Sequence, residues 1–378
     1  LTKGVATELE NGVVVVDGDG YATGELYEMD AMGFVDQAQS EPTLEESIEM
    51  LQAGLALCAQ HGITSVHNMD GDFEQAKLYA KLDEMGELTL RVYIPYWVKP
   101  GMTVAQMEEQ ALLMRDTVQT ELVRSNCVKF FMDGVYESYT AVNTTGYPDQ
   151  PDNFGDPIWD AQTFAQFTKA ADKLRLQIFV HACGDGAVQR VLDGFETAAT
   201  ANGQRDSRHR VEHIEMVADN DVPRFRQLGV IASMQPLHAP IVENDPDVWP
   251  QRIHRAEWDR AFAWRTLREQ GATIAFGSDW PVVTLSPILG IWGAVTRFPL
   301  ADDVKSHVQT LEETICSYTK DAAFAEFQEG KKGQLKVGMW ADLVLLSEDI
   351  FNIPPDSIKD INIELTVSNG RIVYQNRT

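Results

Sequence analysis

A chain of 378 residues, 44% apolar and 23% charged, can bury a large core and has the composition of a globular protein. No apolar run reaches the roughly 18–20 residues needed to cross a bilayer, which excludes a membrane-spanning helix. The formal net charge of −26, from 57 Asp+Glu against 31 Lys+Arg, repels phosphate backbones and makes nucleic acid a poor partner.

The first forty residues hold one clear signal. Val13-Val14-Val15-Val16 followed by Asp17-Gly18-Asp19-Gly20 reads as a hairpin arm with a Gly-rich turn. From there the chain alternates amphipathic helix and short apolar strand. Thr43-Leu44-Glu45-Glu46 is a capping box; the helix it opens puts Ile48, Leu51, Leu55 and Cys58 on one stripe and stops at Gly62. A strand at 63–66, a helix from about 73 and a strand at 90–97 follow. Thr103-Val104-Ala105-Gln106 is a second capping box, opening a helix expected to run to about 123, and then comes a strand at 128–132.

Helices near 163–174, 187–199, 222–228 and 258–270 then alternate with strands at 177–180, 210–213, 230–234 and 273–276. Strands apolar on both faces and separated by helices indicate a buried parallel sheet. The pattern is that of a TIM-type (β/α)8 barrel, here with seven of its eight strands, and the gap falls at the N-terminus. Beyond Gly330 the composition changes. The run 341–346 is a strand candidate, and 365–368, Asn369-Gly370 and 371–374 form a hairpin with a favoured turn. The expected organisation is a connecting hairpin at 1–40, a barrel at 41–329, and part of a small β-sandwich at 330–378.

Three strands end in residues a divalent ion binds: 178–180 runs into His181, 211–212 into His213, and 273–278 into Asp279. The C-terminal strand ends of a parallel barrel share one face, so residues far apart in sequence can meet there. Two imidazoles and a carboxylate suit Zn²⁺ or a similar ion. Each residue also has a plainer reading. A lone strand-end histidine is usually structural, Lys129 alone reads as a snorkelling or salt-bridged lysine, and Asp279 alone can cap the turn before Trp280-Pro281. His238, after the strand starting at 230, stands on the same face and can hold substrate or serve structure. Arg297 can meet an anionic substrate group, although a surface salt bridge is the simpler reading. Trp97, Tyr136 and Trp280 lie at strand ends and can line an apolar pocket or merely pack. His61, His67, His209, His254 and His307 are assigned to structure.

Four segments carry a resemblance: Val128-Lys129-Phe130-Phe131-Met132-Asp133-Gly134, Val180-His181-Ala182-Cys183-Gly184-Asp185, Arg210-Val211-Glu212-His213 and Phe276-Gly277-Ser278-Asp279-Trp280-Pro281. In this order they resemble the amidohydrolase superfamily, more narrowly the branch that includes N-substituted formamide deformylase, and 333–343 is similar to the family's return into its small β-sandwich. The resemblance implies that His181, His213 and Asp279 bind metal, that Asp279 also shuttles protons, and that Lys129 is carboxylated and bridges two ions. It implies hydrolysis of a non-peptide C–N bond of amide or formamide type in a small-molecule substrate, with His238, Trp280, Arg297 and Tyr136 as candidate substrate contacts. The family's His-x-His pair at the first barrel strand does not occur in this sequence, so the chain reads as the larger C-terminal part of a longer enzyme.

Two other readings compete: a non-catalytic barrel that binds ligand or needs a partner segment, and a heterocycle deaminase with no lysine bridge. Strand edges left unpaired would be sticky, which leaves room for a homo-oligomer. The cysteines Cys58, Cys127, Cys183 and Cys316 read as reduced thiols, three of them core, with Cys183 able to face the His181 pocket. The chain opens on Leu1 with no charged-then-apolar leader; a cytoplasmic compartment is favoured, weakly.

Overall fold

The computed structural model describes residues 8–9, 12–240 and 248–377, and the chain divides into two compact units, 1–50 and 51–378. In the first, β1 (Glu8–Leu9), β2 (Gly12–Val16) and β3 (Ala22–Tyr27) make an antiparallel sheet, followed by α1 (Glu28–Ala38). The hairpin turn is held by Asp17, whose carboxylate accepts from the backbone N–H groups of Asp19 and Tyr21 at 3.0 and 2.9 Å. The helix at 28–38 is absent from the sequence reading; its apolar stripe is too weak to announce it, and Ala31 is its buried anchor.

The helix α2 (Leu44–Gln60) starts at the first capping box, with Thr43 N–H donating to Glu46 at 2.7 Å and Glu46 N–H to Thr43 Oγ1 at 3.2 Å. Then come β4 (Ser65–His67), α3 (Phe73–Glu84), β5 (Arg91–Tyr93), β6 (Tyr96–Trp97), α4 (Val104–Thr117), β7 (Val123–Arg124) and β8 (Cys127–Phe131). They are followed by α5 (Ala161–Lys173), β9 (Gln177–Ala182), α6 (Asp185–Asn202), β10 (Arg210–His213), α7 (Val222–Leu228), β11 (Ile231–Met234), α8 (Trp264–Glu269) and β12 (Thr273–Phe276). The ladders β4-β5-β7 and β6-β8-β9-β10-β11-β12 are parallel throughout. Because β5 and β6 belong to one extended run and β7 and β8 to another, seven runs lie side by side in chain order, a TIM-barrel-like arrangement.

Two helices differ from expectation. The one opened by Thr103 ends at Thr117, short of 123, because the next residues are drawn into the sheet: Val92 N–H donates to the Leu122 carbonyl at 2.8 Å, and Leu122 N–H donates to Asp83 at 3.2 Å. The one expected over 258–270 is cut in two, a 3₁₀ turn Arg255–Arg260 and then α8. Phe262 between them has φ 45° and donates its N–H to the Glu215 carbonyl at 2.7 Å, a tie a continuous helix would forbid. Cys58 and Cys316 are only half-buried, whereas Cys127 and Cys183 are buried; all four are free thiols.

The sheet's two faces carry different chemistry. Val128, Phe130, Ile178, Val180, Val211, Ala232, Met234, Ile274 and Phe276 pack into one large apolar cluster with α5 and α6. Alternation turns Lys129, Phe131, Phe179, His181, Arg210, Glu212 and Ser233 to the other face. Several polar groups there are paired. Arg210 donates to Glu212 at 3.1 Å and to Ser233 Oγ at 2.7 Å. Glu326, 4% exposed, gathers Lys332, His67 at 3.5 Å and Arg124 at 3.6 Å.

After α9 (Pro287–Thr296), α10 (Leu311–Tyr318) and α11 (Lys320–Ala325), the chain closes with the antiparallel strands β13 (Leu343–Leu346), β14 (Ile363–Ser368) and β15 (Arg371–Gln375). The β14–β15 turn is Asn369-Gly370, both with positive φ, 49° and 73°. This module belongs to the second unit and is clamped to β5 by Arg91, whose Nε donates to Asp342 at 2.7 Å from a nearly buried position. Truncating one member of a buried ion cluster strands its partners. Glu326→Ala is therefore expected to destabilise the protein by about 3–5 kcal/mol, read as a lower urea midpoint with unchanged slope.

Candidate metal centre

The parallel register sets the site. In the β9–β10 pair Glu212 lies opposite His181 and His213 opposite Ala182, so His213 extends one residue past the level of His181. Strict alternation would aim His213 away from Glu212's face. Its backbone instead turns left-handed, φ 77°, followed by Ile214 at 53°, and the imidazole ends 4.5 Å from the His181 ring, centroid to centroid. Asp279, just past β12, is likewise left-handed at φ 60°. Such strain in non-glycine residues persists only where the surroundings impose it, and it clusters at functional sites.

His213, His238 and Asp279 offer ligand atoms that all lie within 4.8 Å of one another. His238 stacks on His213 at 5.7 Å, the ring planes nearly parallel at 8°. Its buried Nε2 makes no hydrogen bond and stands 3.6 Å from Asp279 Oδ2, while His213 Nδ1 stands 4.0 Å from the same oxygen. At 3.6 and 4.0 Å these pairs are too far apart to be hydrogen-bonded to each other. The hydrogen bonds beyond them orient the rings. Gln235 Oε1 accepts from His213 Nδ1 at 3.0 Å, leaving Nε2 free, and the Gly134 carbonyl accepts from His181 Nε2 at 2.9 Å, leaving Nδ1.

Lys129 lies on β8, 3% exposed, with its ammonium over Phe131 at 4.5 Å, and Phe131 in turn packs 5.1 Å from His181. Burial pulls the Lys129 ammonium below its usual range, against the opposing field of Glu212, Asp279 and Asp70. Burial likewise lowers His181 to about 3, His238 to about 4 and His213 well below the usual imidazole range, and raises Asp279 to about 6. The imidazoles are therefore neutral, the form that ligates.

Asp279 does not cap its turn through its carboxylate: Ser278 Oγ takes the Trp280 N–H at 3.2 Å, and the Asp279 backbone carbonyl takes that of Val282 at 2.9 Å. Asp133, also close to His181 and Cys183, is spent on backbone amides, accepting from Val142, Cys183 and Gly184 at 2.9–3.0 Å. It fixes the loop carrying Gly134.

The remaining candidates scatter. Trp280 stands half exposed beside Asp279, and Trp97 packs on Phe131 at 5.6 Å. Tyr136 is fully buried, its hydroxyl bonded to Asn143 and its ring 5.5 Å from Trp249, inside the apolar core. Arg297 is buried against Phe262 and Trp264 rather than paired at the surface. Three contributors went unrecognised in the sequence. Gln235 directly follows β11, Asp70 lies shortly after β4, and Asp133 stands four residues past Lys129. For the first two, position just past a parallel strand was the available signal.

The model of the amidohydrolase family matches residues 2–374. The chain belongs to the amidohydrolase family. Among curated relatives, the chain is 29% identical to the Arabidopsis thaliana protein LONG AFTER FAR-RED 3, over 96% of the chain and 63% of the relative. It is 23% identical to N-substituted formamide deformylase of Arthrobacter pascens, over 89% and 62%. The chain thus spans a little under two thirds of either relative. A crystal structure of an uncharacterized metal-dependent hydrolase from Pyrococcus furiosus superposes with a TM-score of 0.71 at 22% identity, covering 86% of this chain and 65% of that one.

The Gln235 bond holds the His213 ring. Gln235→Leu is expected to lower divalent-metal affinity about 10–100-fold by calorimetric titration; an unchanged affinity would count against His213 as a ligand.

Proposed function

We propose that this chain carries the metal site of a hydrolase that cleaves a non-peptide C–N bond of amide or formamide type in a small molecule. The observation that carries the reading is the convergence of His213, His238 and Asp279 within 4.8 Å, with the His181 ring against His213 at 4.5 Å. His181, His213 and Asp279 hold a divalent ion, and zinc is the ion this nitrogen-and-oxygen set suits first. Such an ion lowers the pKa of water to near neutrality and polarises a carbonyl.

The chain's own residues supply the rest. Asp279, raised towards neutrality by burial, is matched to accept a proton from the attacking water and return it to the departing nitrogen. Lys129 is a candidate for carboxylation, because its buried amine can reach the neutral form that adds CO₂; the nitrogen–carbon bond forms as a proton leaves. The carbamate oxygens would then serve a second ion. His238 faces Asp279 and is placed to steady the substrate carbonyl, and the exposed indole of Trp280 offers an apolar contact at the rim.

The grouping of His213, His238 and Asp279 also favours a second reading, one ion without a lysine bridge, as heterocycle deamination would use. Metal analysis separates the two: about two ions per chain fits the lysine-bridged hydrolase, one fits the mononuclear site. On the first reading Asp279→Asn is expected to lower kcat for amide or formamide hydrolysis by about 10²–10⁴-fold, measured by amine release. Full activity in that variant rejects it.

A further inference from the structure

Arg297 follows α9 and is 5% exposed. Its Nη1 donates to the Phe262 carbonyl at 3.3 Å, and its guanidinium carbon lies 5.3 Å from the Phe262 ring and 5.0 Å from the Trp264 ring. It forms no ion pair among the described residues, although the chain holds 57 acidic residues. Its Nε finds no hydrogen-bond acceptor. Burial alone acts on it, pulling its pKa down to about 9 with no acid opposing.

The groups around it share the deficit. Trp264 Nε1, His307 Nδ1 and both amide atoms of Gln309 are buried without partners, and His307 and Gln309 are each 3% exposed. Backbone bonds tie these residues to one spot. Gln309 N–H donates to the Ala294 carbonyl at 3.0 Å, within the last turn of α9. His307 Nε2 bonds the Asp259 carbonyl at 2.9 Å, three residues before Phe262, and the Arg297 charge reaches the His307 ring.

We propose that the free N–H groups of Arg297, Trp264 and Gln309 hold a small monovalent inorganic anion, a halide, as the internal counter-ion of Arg297. Water could satisfy the free N–H groups of Arg297, Trp264 and Gln309 but would leave the guanidinium charge unopposed, and arginine does not escape by losing its proton. The C-terminal end of α9 supplies a partial negative charge, yet its Gly293 and Ala294 carbonyls are already bonded to the Arg297 and Gln309 amides. A buried charge with three unmet donors, Arg297 Nε, Trp264 Nε1 and Gln309 Nε2, is the pattern an anion site requires. The assignment gives Arg297 an internal partner in place of a substrate contact and does not depend on the metal site.

Thermal unfolding of the full-length protein tests it, with chloride exchanged for gluconate at constant ionic strength. Tm is expected to fall by roughly 2–4 °C as chloride drops from about 300 mM to none, and bromide is expected to restore it. Arg297→Met is expected to show no halide dependence, and bromide-grown wild-type crystals to show an anomalous peak beside Arg297 Nε. A wild-type Tm indifferent to the exchange, the same halide dependence in Arg297→Met, or no bromide peak at Arg297 overturns the proposal. Should Arg297→Met not fold, Gln309→Leu keeps the cation and removes one donor. A several-fold higher half-saturating halide concentration in it supports the site, and an unchanged one overturns it.

Discussion

Parallel pairing in a single register from β8 to β12 is the constraint on which the rest depends. It forces Lys129, His181 and Glu212 onto one face of neighbouring strands, because Phe131 lies opposite His181 and His181 opposite Glu212. A slip of one residue in any of these strands would send its inward set into the apolar cluster beneath α5 and α6. The same register leaves His213 at the last pair of its ladder and Asp279 just past β12, where the backbone can leave extended geometry. Both use that freedom: their positive φ values swing them towards His181 and His238. Local strain at two residues thus depends on regular pairing at several strands, and the sheet's stability is what holds the strained pair in place.

The inward face is unusually polar for a sheet interior, and its charges are handled in two ways. Near the β4, β5 and β10 strands they are paired outright, as with Arg210 and Glu212 or Glu326 and Lys332. At the strand ends they are shifted instead. Burial drives the three imidazoles towards neutrality and raises Asp279, so the site holds proton acceptors and lone pairs rather than fixed ion pairs. Asp133 shows the contrast: three backbone amides fix its carboxylate and hold the loop whose Gly134 carbonyl orients His181.

Much of this was legible in the sequence, for physical reasons. Both capping boxes, at Thr43 and Thr103, depend on residues three apart and read directly. The Asn369-Gly370 turn demanded two left-handed residues and has them. His181, His213 and Asp279 stood out because each ends an apolar strand. What stayed hidden depends on contacts between distant segments. The end of α4 is decided by Asp83 and Val92, and the break at Phe262 by the Glu215 carbonyl; neither partner is a sequence neighbour. Gln235 looks like an ordinary polar residue until His213 is seen 3.0 Å away. The helix at 28–38, with little apolar face, gave periodicity nothing to detect.

The molecule also buries two cations away from direct carboxylate partners, and their chemistry separates their roles. Lys129 is opposed at a distance by Glu212, Asp279 and Asp70, and burial lowers the pKa of its ammonium against that field. Among the described residues no acid opposes Arg297, and a guanidinium holds its proton through such burial, so its charge persists and calls for a counter-charge. Exchanging the two residue types would damage both places: an arginine at 129 could never present a neutral nitrogen, and a lysine at 297 would relieve its burial by deprotonating. Similar burial thus acts on a titratable amine at one position and on a persistent charge at the other.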